Sequence, residues 1–376
     1  MIRKVNPKGM ISLKVKVRWT WSLVEGAMIA IPLILLFINW KYGLIALAID
    51  GLIILLYSLL ILYIGLNTKA GFGAAKVIEL ADTRKLKDKE KKTLKWVQDN
   101  ARQLGIPDAK PYPLHGYLLE PEQTPKGLIY MCHGFGDYSF TSVFDQATRF
   151  YEMGYSVFLT HSRGFGSDNG NWTGMGTLER EDHVRWIETL EAHNPDLDIF
   201  LYGVSMGAAS VMNLSDLEDP QIKGIIEDCG YVSLYEQMDH ALLSVLQVPE
   251  YPTLPICEWL CKRVCKFSMK DLDVRPKLAR TIYPILAFHG REDDFVPFSN
   301  LDQVIQAAGP HLRDAYFIEG AAHCQSACKE PQFYWTRIQD FLEEYGTTPA
   351  DTEQPIFIAS LDPEDDADFE MNSQDN

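Results

Sequence analysis

Residues 198–210 read DIFLYGVSMGAAS, and within them Gly203-Val204-Ser205-Met206-Gly207 fits the pattern G-x-S-x-G. The apolar run Ile199, Phe200, Leu201 and Tyr202 precedes the serine as a strand buried on both faces would, and Ala208 and Ala209 follow it as the first turn of a helix lying close on a sheet. In such a turn the serine takes a strained backbone conformation, and the flanking glycines remove side chains that would collide with neighbouring chain. The hydroxyl is then held exposed as a nucleophile. Attack on a carbonyl needs more: an imidazole to take the proton, a carboxylate to orient that imidazole, and N–H donors for the oxyanion. Candidates follow successive strand-like runs, with Ser205 as nucleophile, Asp293 as acid and His323 as base, in the chain order Ser, Asp, His. Asp294 and Asp228 are rival carboxylates. The backbone N–H groups of Met206 and of Phe135, in the loop that starts at His133, are the candidate oxyanion donors, and the helix dipole at Met206 would assist.

The elements that must position these groups alternate along the chain. Strand patterns fall at 112–119, 127–132, 155–160, 199–202, 222–226, 284–288 and 315–318, with helical patterns at 142–153, 178–192 and 331–345 between or after them. This alternation predicts a mainly parallel, doubly wound sheet, in which ligands collect at the carboxyl ends of strands. His133 and Ser205 both stand at such ends. Residues 231–281 are helical and irregular and form an insertion over the sheet, a lid with an apolar pocket. Residues 88–104 have amphipathic helical spacing through Leu94, Val97, Ala101 and Leu104, ended by Gly105-Ile106-Pro107.

Several motifs stand together: HGFGD, SRGFGSDNG, GVSMG, DCGYVS, HGREDDFVP and GAAHCQSA. With them, residues 94–345 resemble the α/β-hydrolase superfamily, and more closely the membrane-anchored serine hydrolases of Gram-positive bacteria, esterases or peptidase-like. The resemblance implies an α/β-hydrolase fold and carboxylic ester cleavage through an acyl-enzyme. Its spacing around the acid favours Asp293 over Asp294. His161 departs from the pattern, replacing the aspartate usual in that loop, and is expected to alter pocket polarity without removing activity. Peptidase or amidase action is the alternative within enzymes, and an inactive membrane-tethered scaffold the alternative outside them.

Composition sets the remaining bounds. A net charge of −16 over 376 residues argues against nucleic acid as partner, while a small-molecule or lipid-like ester suits the apolar insertion. Two apolar runs, 19–40 and 44–66, each approach the length of a membrane-spanning helix, and the join 39–43 makes them a transmembrane hairpin. No small-x-small cleavage site precedes the second run, so a retained anchor is preferred to a signal peptide. Lysine and arginine crowd residues 1–18 and the stretch after 68, which predicts a two-pass protein of the cell membrane with its catalytic domain cytoplasmic. Asp50 interrupts the second run. Seven cysteines without a disulfide framework fit a reducing compartment, and the spacings of Cys257, Cys261 and Cys265 and of Cys324 and Cys328 suit buried helix faces. Neither a metal-ligand spacing nor a dinucleotide or phosphate fingerprint stands out, and the proposed chemistry needs no cofactor. The expected organisation is therefore 1–68 basic N-terminus and hairpin, 69–110 linker and helix, 111–346 hydrolase domain with lid at about 231–281, and 347–376 an acidic tail.

Overall fold

The computed structural model describes residue 24 and residues 26–70, 83–165 and 170–347. The basic N-terminus, the start of the first apolar run, part of the connection after residue 70, residues 166–169 of the glycine-rich loop and the acidic tail lie outside the described residues.

Eight strands form one sheet in the order β1-β2-β4-β3-β5-β6-β7-β8. They are β1 Arg102–Ile106, β2 Leu114–Leu119, β3 Leu128–Cys132, β4 Ser156–Thr160, β5 Ile199–Val204, β6 Ile222–Asp228, β7 Ile285–Gly290 and β8 Leu312–Ile318. Only β2 runs against its neighbours, pairing antiparallel with both β1 and β4, while all the other pairings are parallel. The central strands β3, β4 and β5 are buried at every position, as their uninterrupted apolar runs require. Alternate residues feed opposite layers. Tyr130 and Leu201 pack with Trp186 of the helix Glu179–His193 on one face, and Met131 and Tyr202 pack with Phe150 and Tyr334 on the other.

The structure departs from the sequence expectation at 88–104. A helix does form, Thr83–Asn100, but the chain then enters β1 instead of continuing to Leu104. Leu94, Val97 and Ala101 pack on one face of the sheet, whereas Leu104 packs on the other. The helical spacing was genuine as far as Ala101. Beyond it, the open edge of β2 offers a ladder from Arg102↔Leu118 to Ile106↔Leu114, and pairing outweighs local periodicity.

At the N-terminal side, helix α1 Gly26–Ile38 and helix α2 Trp40–Leu66 meet at Asn39, whose side chain accepts from the Lys41 N–H at 3.0 Å. The join is thus one residue, shorter than the expected 39–43. Gly43 lies tight against Leu36, where a Cβ would overlap the backbone. Helix α2 is long and apolar enough to cross a membrane, and the described part of α1 is shorter than a span. The last turns of α2 enter the domain. Leu62 and Leu66 are 2% and 1% exposed and join the main core, a burial that stabilises by about 2 kcal/mol for each side chain.

Residues 231–281 form a cap over the carboxyl ends of the strands, with helices Leu234–Ser244 and Thr253–Leu260, a π turn at Cys261–Cys265 and short turns after it. Buried Glu258 pins it, accepting from Ser268 Oγ at 2.6 Å and from the Met269 N–H at 2.9 Å.

Candidate active site

β5 delivers Ser205 at its carboxyl end, and the helix Met206–Met212 leaves at once. Ser205 stands at φ 57°, ψ −116°, a conformation that side-chain-bearing residues avoid. Its N–H donates to the Asp228 carbonyl at 2.9 Å, which ties the turn to β6. Both flanking glycines are sterically necessary. A Cβ at Gly203 would overlap the Gly207 backbone, and one at Gly207 would overlap the Cys132 carbonyl on β3.

His323, in the loop after β8, places Nε2 2.8 Å from Ser205 Oγ and Nδ1 2.7 Å from Asp293 Oδ2. With the serine hydroxyl donating to Nε2, Nδ1–H donates to the carboxylate. Asp293, after β7, is held by two N–H donors on Oδ1, from Phe295 and Val296, both at 2.9 Å. His289 stands beside it, Nε2 3.4 Å from Asp293 Oδ2. It is Asp293, and neither rival carboxylate, that meets His323 Nδ1. Asp228 accepts from Ser326 Oγ at 2.7 Å and burial raises it to about 6, while the backbone carbonyl of Asp294 accepts from His240 Nε2 at 2.8 Å, which fixes the turn that carries Asp293.

Electrostatics follow from this packing. Burial pushes the Asp293 carboxyl up, yet the imidazoles of His323 and His289 hold it well below the usual carboxylate range. Burial pushes His323 down, while Cys229 and the Asp293 carboxylate push it back well above its ordinary value. Cys229, also against the ring, is driven by burial towards the neutral thiol, which leaves Asp293 as the charge that matters.

The loop after β3 lies over the serine, and a Cβ on Gly134 would come 3.7 Å from Ser205 Cβ. Phe135 and Met206 both line the cavity into which Ser205 opens. Sequence reasoning missed what shapes this loop. Asp137 accepts from the N–H groups of Ser139, Thr141 and Ser142 and from Ser142 Oγ, and that hydroxyl in turn accepts from the Gly134 N–H at 3.2 Å. The aspartate closing HGFGD was the available signal. Likewise Arg163 meets Asp182 in a buried two-pronged pair, Nε to Oδ2 at 2.5 Å and Nη2 to Oδ1 at 2.8 Å. His133 is structural: Nε2 accepts from the Ser162 N–H at 3.0 Å, so Nδ1–H donates to the Gly134 carbonyl at 2.8 Å.

His161 does not line the cavity, contrary to the expectation that it sets pocket polarity. It stacks on Phe140 with ring centroids 4.2 Å apart, and burial pushes it down to about 3, so it serves as a neutral aromatic in the core. The cysteines are free thiols, four of them buried, but Cys324 and Cys328 are exposed, contrary to the expected buried helix face, because Cys324 precedes the short helix Ser326–Lys329 instead of lying on it. Cys229, His323 and Cys324 cluster with ligand atoms within 4.8 Å of one another, a grouping that the sequence spacing did not suggest. Both ring nitrogens of His323 are already committed to Ser205 and Asp293.

The cavity measures about 140 Å³. Its twenty lining residues, drawn from the end of α2, the cap and the strand ends, include no charged side chain among the described residues.

The sheet order, the strained serine after β5 and the loops after β7 and β8 define an α/β-hydrolase fold. Residues 123–268 match the family Hydrolase_4, described as serine aminopeptidase, S33. Among relatives, the uncharacterized protein YqkD of Bacillus subtilis is 26% identical over 245 residues, 63% of this chain and 78% of that protein. An uncharacterized membrane protein of Saccharomyces cerevisiae is 21% identical over 267 residues, 67% of this chain and 87% of its own. Among solved structures, an esterase of Pyrococcus furiosus is similar at TM-score 0.54 with 18% identity, covering 67% of this chain and 94% of the other. A soluble variant of monoglyceride lipase from Saccharomyces cerevisiae, in complex with a substrate analog, is similar at TM-score 0.52 with 15% identity, covering 66% and 96%.

Proposed function

We propose that the protein is a serine hydrolase that cleaves carboxylic esters through an acyl-enzyme, with Ser205, His323 and Asp293 as catalytic residues. The observation that carries this reading is the unbroken relay from Ser205 Oγ through His323 to Asp293, opening into an apolar cavity. Ser205 Oγ attacks the ester carbonyl carbon as His323 Nε2 takes its proton, and the N–H groups of Phe135 and Met206 receive the oxyanion. The imidazolium then protonates the departing alkoxide as the ester C–O bond breaks. A water molecule, deprotonated by the same imidazole, attacks the acyl carbon, and the imidazolium returns that proton to Ser205 Oγ as the Oγ–C bond breaks and the acid departs. Asp293 stays ionised throughout, which its depressed pKa favours. No step requires a cofactor.

The matched family description makes aminopeptidase action the competing reading. The cavity favours esters, because an aminopeptidase must hold a substrate ammonium with an anionic group and the lining is uncharged. Positively charged ends and the length of α2 support attachment to the cell membrane through the α1–α2 hairpin, with the hydrolase domain in the cytoplasm. The test is labelling with a fluorophosphonate probe beside turnover of p-nitrophenyl esters and amino-acyl amides. Wild type should be labelled and should prefer esters, and Ser205→Ala should do neither. Labelling that survives Ser205→Ala defeats the mechanism, and a folded wild type that is never labelled points to an inactive tethered scaffold.

A further inference from the structure

The apolar helix that precedes the domain does more than anchor it. Five of the residues lining the Ser205 cavity, Ile61, Leu62, Ile64, Gly65 and Leu66, come from the last two turns of α2. That end is stitched into the loops around the site. The Thr173 N–H donates to the Leu66 carbonyl at 3.1 Å, Thr68 Oγ1 to the Gly164 carbonyl at 2.6 Å, and Tyr138 Oη to the Thr68 carbonyl at 2.6 Å.

Length fixes the depth at which this wall stands. α2 has 27 residues, and at ~1.5 Å per residue it spans about 40 Å against a hydrocarbon thickness of about 30 Å. Trp40 and Tyr42, both exposed, suit the interface at its far end. Ser58 then lies about 27 Å along the axis, at the near interface. It is at Ser58 that the cap meets the helix, with Cys257 Sγ 3.4 Å from the Ser58 carbonyl. The same cap carries exposed apolar and cationic side chains: Tyr251, Trp259 and Val264 are 72%, 51% and 49% exposed, Arg263 lies over the Trp259 ring, and Lys266, two residues beyond Val264, is exposed. Apolar side chains interleaved with cations match the boundary between acyl chains and anionic headgroups. The cavity therefore lies at headgroup level, walled by the span itself.

Resting on the esterase reading, we infer that the end of α2 and the cap helix Leu234–Ser244, whose lining residues Ile61, Ile64, Gly65, Met238 and Ala241 are only half-buried, form a portal through which the single acyl chain of a bilayer-resident ester lipid enters the cavity sideways, with Gly65 setting the chain length accepted. A Cβ added at Gly65 meets nothing within 4 Å, so the missing side chain is open space along the wall. The volume holds roughly ten water-sized spheres, which suits a medium-length chain.

The test uses the full chain reconstituted in vesicles of phosphatidylcholine and phosphatidylglycerol, given p-nitrophenyl acetate and p-nitrophenyl decanoate. Gly65→Leu should lower the ratio of decanoyl to acetyl kcat/KM by about tenfold or more. Trp259→Glu, at an exposed position, should lower the same ratio severalfold when the decanoyl ester is carried in the vesicles, and less when it is supplied in detergent micelles. Ratios unchanged in Gly65→Leu overturn the wall, and a Trp259→Glu effect equal in vesicles and micelles overturns entry from the bilayer. A wild-type protein that turns over neither ester overturns the esterase reading itself.

Discussion

At Ser205 the backbone is held at φ 57° by two glycines whose neighbours leave no room for a Cβ. Gly207→Ala is therefore expected to destabilise the fold by about 2–3 kcal/mol, read by urea unfolding, because the added carbon meets the rigid carbonyl of β3. The charges of the relay give a pH prediction with a definite sign. In the proposed mechanism His323 serves as base only when neutral, and its surroundings, Cys229 and Asp293, raise its pKa above the ordinary 6.5, so kcat/KM should climb with pH along a limb centred above that value. Asp293→Asn removes the raising charge. The rate should fall by about 10⁴-fold and the residual limb should move to lower pH, measured as a pH–rate profile. A limb that stays in place would show that Asp293 is not the charge governing His323.

Among the elements, the loops matter more than the strands they leave. The loop after β4 is held to the helix Glu179–His193 by the buried Arg163–Asp182 pair, whose side chains are 9% and 8% exposed. Arg163→Met leaves Asp182 buried without its partner, and unfolding should show a loss of about 3–5 kcal/mol. Pairing it with Asp182→Leu should restore much of that loss, since two apolar groups remove the stranded charge. The same loop carries Gly164, whose carbonyl accepts from Thr68, so its order extends to the end of α2.

For the molecule as a whole, the end of α2, the cap and the sheet share one core. A chain lacking residues 1–66 loses the burial of Leu62 and Leu66, about 2 kcal/mol each, and should melt at lower temperature than the full chain when both are followed in the same detergent. Topology has built-in reporters as well, since Cys324 and Cys328 are exposed on the domain. In intact cells an impermeant maleimide should leave both unlabelled, and lysis should expose them. Labelling before lysis would place the domain outside.

Strand-like runs, the glycine-flanked Ser205 and the order of Ser205, Asp293 and His323 were legible in the sequence, because buried strands and tight turns restrict residue type locally. Asp293 could be told from Asp294 only through resemblance, and the relay distances required the packed loops after β7 and β8. Nothing local announced β1, since an edge strand is decided by a partner's open ladder and not by its own periodicity. Nor could spacing show that residues 61–66 wall the site. Helical periodicity and hydropathy describe an apolar span equally well whether its end meets lipid or a cavity, and only the tertiary fold, bringing Gly65 to Ser205 across the chain, decided between them.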